Sequence, residues 1–87
     1  MTYLIGGFKM FGFMVRETEK AVAIVRCGDH AGAAVRALWV PRSKINSMIE
    51  RDSYSPSIQL EGERVRRLGI PFDFDIDQSF LAKVGAA

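Results

Sequence analysis

The side chains best suited to binding chemistry in this chain are basic and concentrate in one part of the sequence. Residues 36–67 contain seven basic side chains and four acidic ones, although the net charge of the whole chain is only +2. Phosphate groups and acidic protein surfaces both attract such a cluster. A solvated charged surface also explains it and is the simpler account. The candidate contact residues, with one serine and one tyrosine beside the bases, are Arg36, Arg42, Ser43, Lys44, Arg51, Tyr54, Arg64, Arg66 and Arg67.

A short segment inside this region, residues 39–45 (WVPRSKI), contains the single tryptophan of the chain. In the structural interpretation, Trp39 packs in the core, Pro41 ends a strand because it lacks a backbone N–H, and Ser43 caps the next turn. In the functional interpretation, the Ser43 hydroxyl and free backbone N–H groups bind a phosphate beside the two neighbouring bases. The two interpretations are compatible, and the structural one is favoured.

Other reactive side chains do not form a complete catalytic or metal-binding pattern. Cys27 and His30 share a glycine-containing loop, but neither a zinc site nor a nucleophile–base pair is complete with these two groups. Asp73, Asp75 and Asp77 imitate the start of a calcium loop, which then lacks its glycine and its final glutamate. Glycine-rich phosphate loops are also missing. We therefore expect a protein that is not an enzyme, with no metal and no cofactor.

The start of the chain is a dense apolar block. Its large side chains either complete the core or form a patch that binds another protein or a second copy of the chain. Lys9 interrupts the block and no basic residue precedes it, so the sequence predicts neither a secretory signal nor a membrane span. We expect a cytoplasmic protein. The candidate interface residues are Leu4, Ile5, Phe8, Met10 and Phe11.

Length and composition predict one small folded domain over residues 1–87. The hydrophobic fraction is 48%, with six Phe, two Tyr and one Trp, which is enough for a core. Chains of this size are marginally stable, so a homodimer is a candidate state. The single Cys27 excludes an internal disulfide and fits a reducing compartment.

Hydrophobic periodicity predicts mainly strands. The continuous apolar run at residues 21–25 is typical of a strand covered on both faces. Residues 58–60 and 65–68 are either edge strand or irregular structure around a glycine, and residues 53–57 form a loop. Further strands are predicted over residues 3–8, 11–16, 35–40 and 70–76, with Val35, Ala37 and Trp39 sharing one face of the third.

The clearest pattern lies near the end of the chain. Residues 70–76 alternate without a fault, which places Ile70, Phe72, Phe74 and Ile76 on a core face and the two aspartates between them in water. Pro71 indicates an edge strand or the start of a strand.

A short helix is predicted to follow this strand. Asp77 is a good N-cap for residues 78–84, whose apolar face is Phe80, Leu81 and Val84, and Gly85 follows. The sequence thus predicts an α+β, mostly β fold, which is a small antiparallel sheet or open barrel of four to six strands with a short C-terminal helix.

A second, middle helix is left open by the sequence. Ile45, Met48 and Ile49 are spaced as on one face of a short helix, and Ser43 is a candidate N-cap for it. The alternative for residues 44–51 is a strand.

Two motifs and the tail resemble a group of small proteins of phages and integrated elements. These proteins have an ETEKA strand followed by a W-x-P-[KR]-S motif, and an acidic residue, an aromatic and Leu-Ala near the end. The resemblance implies a mobile-element origin and no particular reaction. The matching segments here are residues 17–22 and 39–45, and the tail matches at Asp77, Phe80, Leu81, Ala82, Lys83 and Gly85.

Two functions are compatible with these observations. The first is the binding of a macromolecular partner, most concretely the inhibition of a host defence nucleoprotein in the manner of an anti-CRISPR protein in the host cytoplasm. The second is a nucleic-acid-binding accessory role in phage replication or recombination, for which the basic cluster is the contact surface. The identity of the partner is not encoded in any motif.

Overall fold

The computed structural model describes residues 7–29 and 34–84. These residues are mostly in strands, as predicted, and they end in a short helix. The elements in chain order are β1 (Gly7–Glu17), β2 (Ala21–Arg26), β3 (Leu38–Pro41), a 3-10 turn (Arg42–Lys44), β4 (Ile45–Glu50), β5 (Ser57–Ile58), β6 (Arg67–Leu68), β7 (Ile70–Asp77) and α1 (Gln78–Lys83).

Five strands form an open antiparallel sheet in the order β3-β2-β1-β7-β4. β5 and β6 pair with each other in a separate two-stranded sheet. β1 lies at the centre and pairs with both β2 and β7, and β3 and β4 are the two edges. This arrangement confirms the predicted small antiparallel sheet, and the sheet does not close into a barrel.

The sheet has two faces because successive side chains of a strand point to opposite sides. Residues 51–69, which we name the crossing segment, cover part of the first face, named the loop face. Its buried cluster is Phe13, Val15, Ala23, Val25, Ile58 and Leu60. The second face, named the helix face, is partly covered by α1, and its buried cluster is Val22, Ile24, Val40, Phe74, Ile76 and Leu81. The continuous apolar run of β2 is therefore buried on both faces, as predicted.

Gly69 allows the crossing segment to pack closely on the loop face. A methyl group at this position would come within 2.7 Å of the Ile58 Cδ1 and 2.8 Å of the Phe13 Cβ. The Gly69 N–H donates to the Pro56 carbonyl at 2.8 Å, which links the end of the segment to the residue just before β5. Tyr54 packs its ring edge-on against Phe13, with the ring centroids 5.6 Å apart.

The C-terminal helix begins where the sequence predicts. Asp77 is the N-cap, and its side chain accepts from the Ser79 N–H at 2.9 Å and from the Ser79 hydroxyl at 2.7 Å. Both bonds lower the pKa of Asp77, and the bond from the Ser79 hydroxyl has the larger effect. Leu81 is buried against the helix face and Phe80 packs beside it. Val84, predicted on the same apolar face, lies beyond the end of α1 and is exposed. Gly85 lies outside the described residues.

Of the two alternatives left open for residues 44–51, the strand is correct, because Ile45–Glu50 form β4. The spacing of the apolar residues resembled that of a helix because β4 has a bulge between Ile45 and Ser47. The extra residue returns both Ile45 and Met48 to the helix face, where they pack against the buried cluster. Ile49 points to the other face and is 62% exposed. A bulged strand therefore reproduced a helical spacing of apolar residues.

The strands agree only in part with the details expected from the sequence. The strand predicted over residues 35–40 is β3, Leu38–Pro41, while Val35 makes only an isolated parallel bridge to Leu60. Pro41 ends β3, as predicted. Of the two alternatives predicted from Pro71, the start of a strand is correct. Pro71 is the second residue of the interior strand β7, opposite a position beyond the end of β4. The two strands predicted before residue 17 are one strand from Gly7, and residues 3–6 lie outside the described part.

Candidate interaction surface around Trp39

Trp39 is not in the core, contrary to the structural interpretation of WVPRSKI. Its side chain is 44% exposed, although its neighbour Val40 is fully buried on the helix face. Trp39 lies on the loop face of β3, an edge strand with one neighbouring strand among the described residues. An edge position gives a large side chain fewer atoms to pack against, so half of the indole remains in contact with water.

A shallow groove of about 280 Å³ lies beside Trp39 on the loop face. Across the sheet, Trp39 is opposite Ala23 of β2, and Ala23 is opposite Arg16 of β1. The short side chain of Ala23 keeps the floor low between two long side chains. We name this site the Trp39 groove, and it is lined by Arg16, Ala23, Val35, Arg36, Ala37, Trp39, Leu60, Glu61 and Glu63.

Backbone hydrogen bonds fix the far wall of the groove. The Val35 N–H donates to the Gln59 carbonyl at 3.0 Å, and the Glu61 N–H donates to the Val35 carbonyl at 2.8 Å. Gly62 then turns the chain with a φ of +80°, a conformation that glycine adopts without strain. This turn returns Glu63 towards β1, and the Gln59 side-chain amide bonds to the Glu63 carbonyl.

The rim of the groove carries charges of both signs. Glu63 accepts from Arg67 at 2.6 Å and from Arg16 at 2.8 Å. Both bonds lower the pKa of Glu63, and the bond from Arg67 has the larger effect. Arg36 approaches Glu61 at 3.3 Å, and the Arg36 side chain is 85% exposed. The groove therefore combines an apolar floor and an exposed indole with a polar rim whose charges nearly balance.

The predicted basic cluster is largely engaged with carboxylates and is not one open surface. Arg42 binds Glu17 at 2.6 Å and the Thr18 carbonyl at 3.1 Å, and Arg51 binds Asp73. The ion pairs of Arg36 and Arg67 on the groove rim belong to the same set. These pairs involve different elements, so each arginine is neutralised locally.

The remaining predicted contact residues lie apart from these pairs. Arg66 binds the Ser57 hydroxyl at 2.9 Å. Arg64 and Lys44 have no ion pair within residues 7–29 and 34–84. Ser43 is exposed in the 3-10 turn, whose N-cap is Pro41, and its hydroxyl makes no capping bond. Tyr54 anchors the crossing segment on Phe13.

The candidate interface residues of the apolar block are split between the two faces. Met10 packs against the helix-face cluster, and Phe11 packs against the loop-face cluster with its ring 5.4 Å from that of Phe13. Phe8 is 36% exposed. Leu4 and Ile5 lie outside the described residues, so the interface remains a prediction.

Sequence reasoning missed most of the groove. Arg16, Glu61 and Glu63 carried no local signal, because they become neighbours only when β1 and the crossing segment come together. Trp39 was recognised as unusual but was assigned to the core. The one available indication was that Pro41 ends the strand, which is common at the edge of a sheet.

A second, larger depression of about 360 Å³ lies on the loop face between β1, β7 and β4. Its carboxylates have partners within the chain. Asp75 accepts from the Asn46 side-chain amide at 3.3 Å, and Asp73 binds Arg51. The exposed Ile49 borders this depression at the β4 edge.

Comparisons with known proteins give no further assignment. No family model, no curated protein and no solved structure matches the chain. Within the described residues, no helix is long and apolar enough to cross a bilayer. In the same part of the chain, no group of three His, Cys, Asp or Glu side chains could hold a metal ion. Cys27 is exposed, and His30 lies outside the described residues.

Proposed function

We propose that this chain acts by binding a protein partner through the Trp39 groove. The observation that carries the proposal is the 44% exposed indole of Trp39 beside a low apolar floor. Tryptophan and arginine are the residues most enriched among energetically dominant interface contacts. A partner side chain inserted against Trp39 would remove the indole from water and gain the largest apolar contact available on this surface.

The charge arrangement favours a protein over a nucleic acid. A polyanion binds best where several unpaired bases lie together, because each phosphate contact releases counterions. Here Arg16 and Arg36 at the groove are matched by Glu63 and Glu61. A protein surface with charges of both signs complements such a rim, and it does not have to displace the carboxylates. The host nucleoprotein suggested by the phage resemblance is one partner of this class and remains a prediction.

The decisive experiment uses Trp39 both as the probe and as the site of substitution. The immobilised chain is exposed to a lysate of a candidate host, and each captured protein is then purified and titrated directly. The Trp39→Ala variant should lose binding by tenfold or more, as expected for removal of a hot-spot side chain worth about 2 kcal/mol. Val65→Ala is the matched control, because Val65 is 74% exposed and does not line the groove. Equal binding by wild type and Trp39→Ala would contradict the proposal.

A parallel titration tests the nucleic-acid alternative. Labelled single- and double-stranded oligonucleotides are titrated at two salt concentrations, and we expect weak binding. Tight binding that weakens steeply with salt and is lost in Arg64→Glu, but kept in Trp39→Ala, would assign the function to nucleic acid instead. Arg64 is the cleaner probe because Arg67 also holds Glu63 on the groove rim.

A further inference from the structure

The two edges of the sheet differ in how well they are protected from pairing with another strand. β3 has four residues and ends in Pro41. β4 has six residues with no proline, and its Ile49 is 62% exposed. An edge strand with free backbone groups and an exposed aliphatic side chain is a template for a further strand. The bulge near Asn46 interrupts the ladder with β7 at the start of β4, so the outward groups alternate regularly from Met48 onward.

Hydrogen bonds to β7 establish which backbone groups of β4 point outward. The Arg51 N–H donates to the Pro71 carbonyl at 3.0 Å, which makes these residues a hydrogen-bonded pair. In an antiparallel ladder such pairs alternate, so Ile49 also bonds to β7, opposite Asp73. The N–H and C=O groups of Met48 and Glu50 therefore point away from the sheet, and no strand of the described residues lies on that side.

Unpaired charges flank the same edge with opposite signs at its two ends. Lys44 precedes β4, Glu50 is its last residue, and Asp52 follows two residues later. Within the described part of the chain, none of these three side chains forms an ion pair. An antiparallel copy of the same edge would bring the basic end of one strand to the acidic end of the other.

We infer that β4 is the contact of a symmetric homodimer, in which two copies pair antiparallel about a two-fold axis at Met48. Met48 of each copy exchanges two backbone hydrogen bonds with the other, and Lys44 of one copy approaches Asp52 of the other. Met48 packs on the helix-face cluster, so the two Met48 side chains continue that apolar face across the junction. Two other registers use the outward groups. One is centred on Ile49 and places Lys44 beyond Asp52, and one is centred on Glu50 and places the two Glu50 carboxylates opposite each other.

The dimer has a consequence for the Trp39 groove. A two-fold axis perpendicular to the sheet keeps both loop faces on the same side of one ten-stranded sheet, and both β3 strands at its outer edges. Nine strand spacings of about 4.8 Å separate the two grooves by roughly 40 Å. The dimer would then present two binding grooves to one partner surface. This bivalence rests on the proposed function, whereas the dimer itself does not.

Sedimentation velocity of the purified chain, from micromolar to millimolar concentration, tests the contact without any partner. We expect a dimer in wild type and in Glu50→Ala, and a monomer in Glu50→Pro, which removes an outward N–H and leaves the bonds to β7. Asp52→Lys should weaken the dimer at least tenfold, and Lys44→Asp combined with Asp52→Lys should restore it. Far-ultraviolet circular dichroism checks that each variant is folded. A wild type that stays monomeric, or a Glu50→Pro variant that dimerises like wild type, overturns the proposal.

Disulfide trapping tests the register. In a Cys27→Ser background, Met48→Cys should crosslink two copies under mild oxidation, because paired Cα atoms lie about 5.5 Å apart, within disulfide reach. Ile49→Cys is the matched control and should crosslink much less. A crosslink at residue 49 and none at residue 48 would overturn the Met48 register and the charge pairing that depends on it. Because these measurements contain only this chain, their failure leaves the Trp39 proposal standing, and the reverse also holds.

Discussion

The loop face contains two regions that are built in opposite ways. Where the crossing segment packs on the sheet, Phe13 and Ile58 are fully buried, and the Gly69 backbone packs so closely that a methyl group would not fit. At the outer end of the same face, Trp39 remains 44% exposed beside a groove of about 280 Å³. The comparison indicates that the covered region holds the fold together, while the groove leaves a large aromatic side chain available for contact.

The largest effect is expected from removing the side chain at the centre of the covered region. Phe13→Ala should lower the free energy of unfolding by about 3–5 kcal/mol, because it leaves a cavity among fully buried neighbours. Urea denaturation measures this change. Phe8→Ala on the same strand is the control, since Phe8 is 36% exposed and should cost clearly less. Equal losses of unfolding free energy in the two variants would mean that the covered region is not more tightly packed than the surroundings of Phe8.

Gly69→Ala tests the close approach in the same region. The added methyl would meet the Ile58 Cδ1 at 2.7 Å, and overpacking of this kind costs about 1–3 kcal/mol. Ile58→Val removes that Cδ1 atom. The double variant should therefore be more stable than the sum of the two single losses predicts, as measured by a double-mutant cycle in urea. If the two losses of unfolding free energy add strictly, the contact with Ile58 is not the reason that Gly69→Ala destabilises the fold.

Trp39→Ala should cost far less stability than Phe13→Ala, although tryptophan is the larger side chain. The exposed half of the indole contributes nothing to burial, so we expect a loss of about 1–2 kcal/mol in urea denaturation. The same variant should lose the partner, which separates a binding role from a structural one. A loss of unfolding free energy as large as that of Phe13→Ala would mean that Trp39 stabilises the fold like a core residue. The two regions would then not differ in the way described.

The smallest effect concerns the rim of the groove, where Glu63 joins Arg16 and Arg67. The pKa of Glu63 is lower in the folded chain than its ordinary value of 4.5, so the unfolded chain takes up a proton first as the solution is acidified. The stabilisation from Glu63 is therefore complete above about pH 4.5 and is lost as the pH falls through the folded-state pKa.

A comparison with Glu63→Gln isolates this contribution. The difference in Tm between wild type and Glu63→Gln should be small and constant near neutral pH, and it should shrink on acidification as wild-type Glu63 becomes protonated. Because Glu63 and its arginine partners are partly exposed, salt should reduce the difference as well. A difference that grows as the pH falls would contradict the assigned direction of the pKa shift.

The sequence predicted the strands that have a simple period and failed where the period was interrupted. The alternation of residues 70–76 and the apolar run of β2 are local patterns, and both became strands. In β7, Phe74 and Ile76 are buried as expected, whereas Ile70 is only partly buried. The bulge in β4 gave three apolar residues a helical spacing, and only pairing with β7 shows that they form a strand. Pro71 indicated an edge strand or the start of a strand, and only the extent of β4 along β7 shows that it lies at the start of an interior strand.

The candidate site was less predictable than the fold. The sequence shows the basic residues but not the carboxylates that neutralise most of them, which come from other elements, such as Glu17 for Arg42. Sequence spacing does not reveal these pairs, because in four of the six ion pairs among the described residues the partners are 22 to 47 residues apart. Trp39 was assigned to the core because apolar character alone does not distinguish an edge strand from an interior one.

By itself, the sequence determined which segments become strands with a regular period, where α1 begins and where β3 ends. These properties follow from local causes, which are side-chain alternation, the Asp77 cap and the missing N–H of Pro41. Only the tertiary structure decided the order of the strands, and with it which strands are edges. That order exposes Trp39 at one edge and the outward backbone groups of Met48 and Glu50 at the other, because burial and hydrogen bonding depend on neighbours distant in the chain.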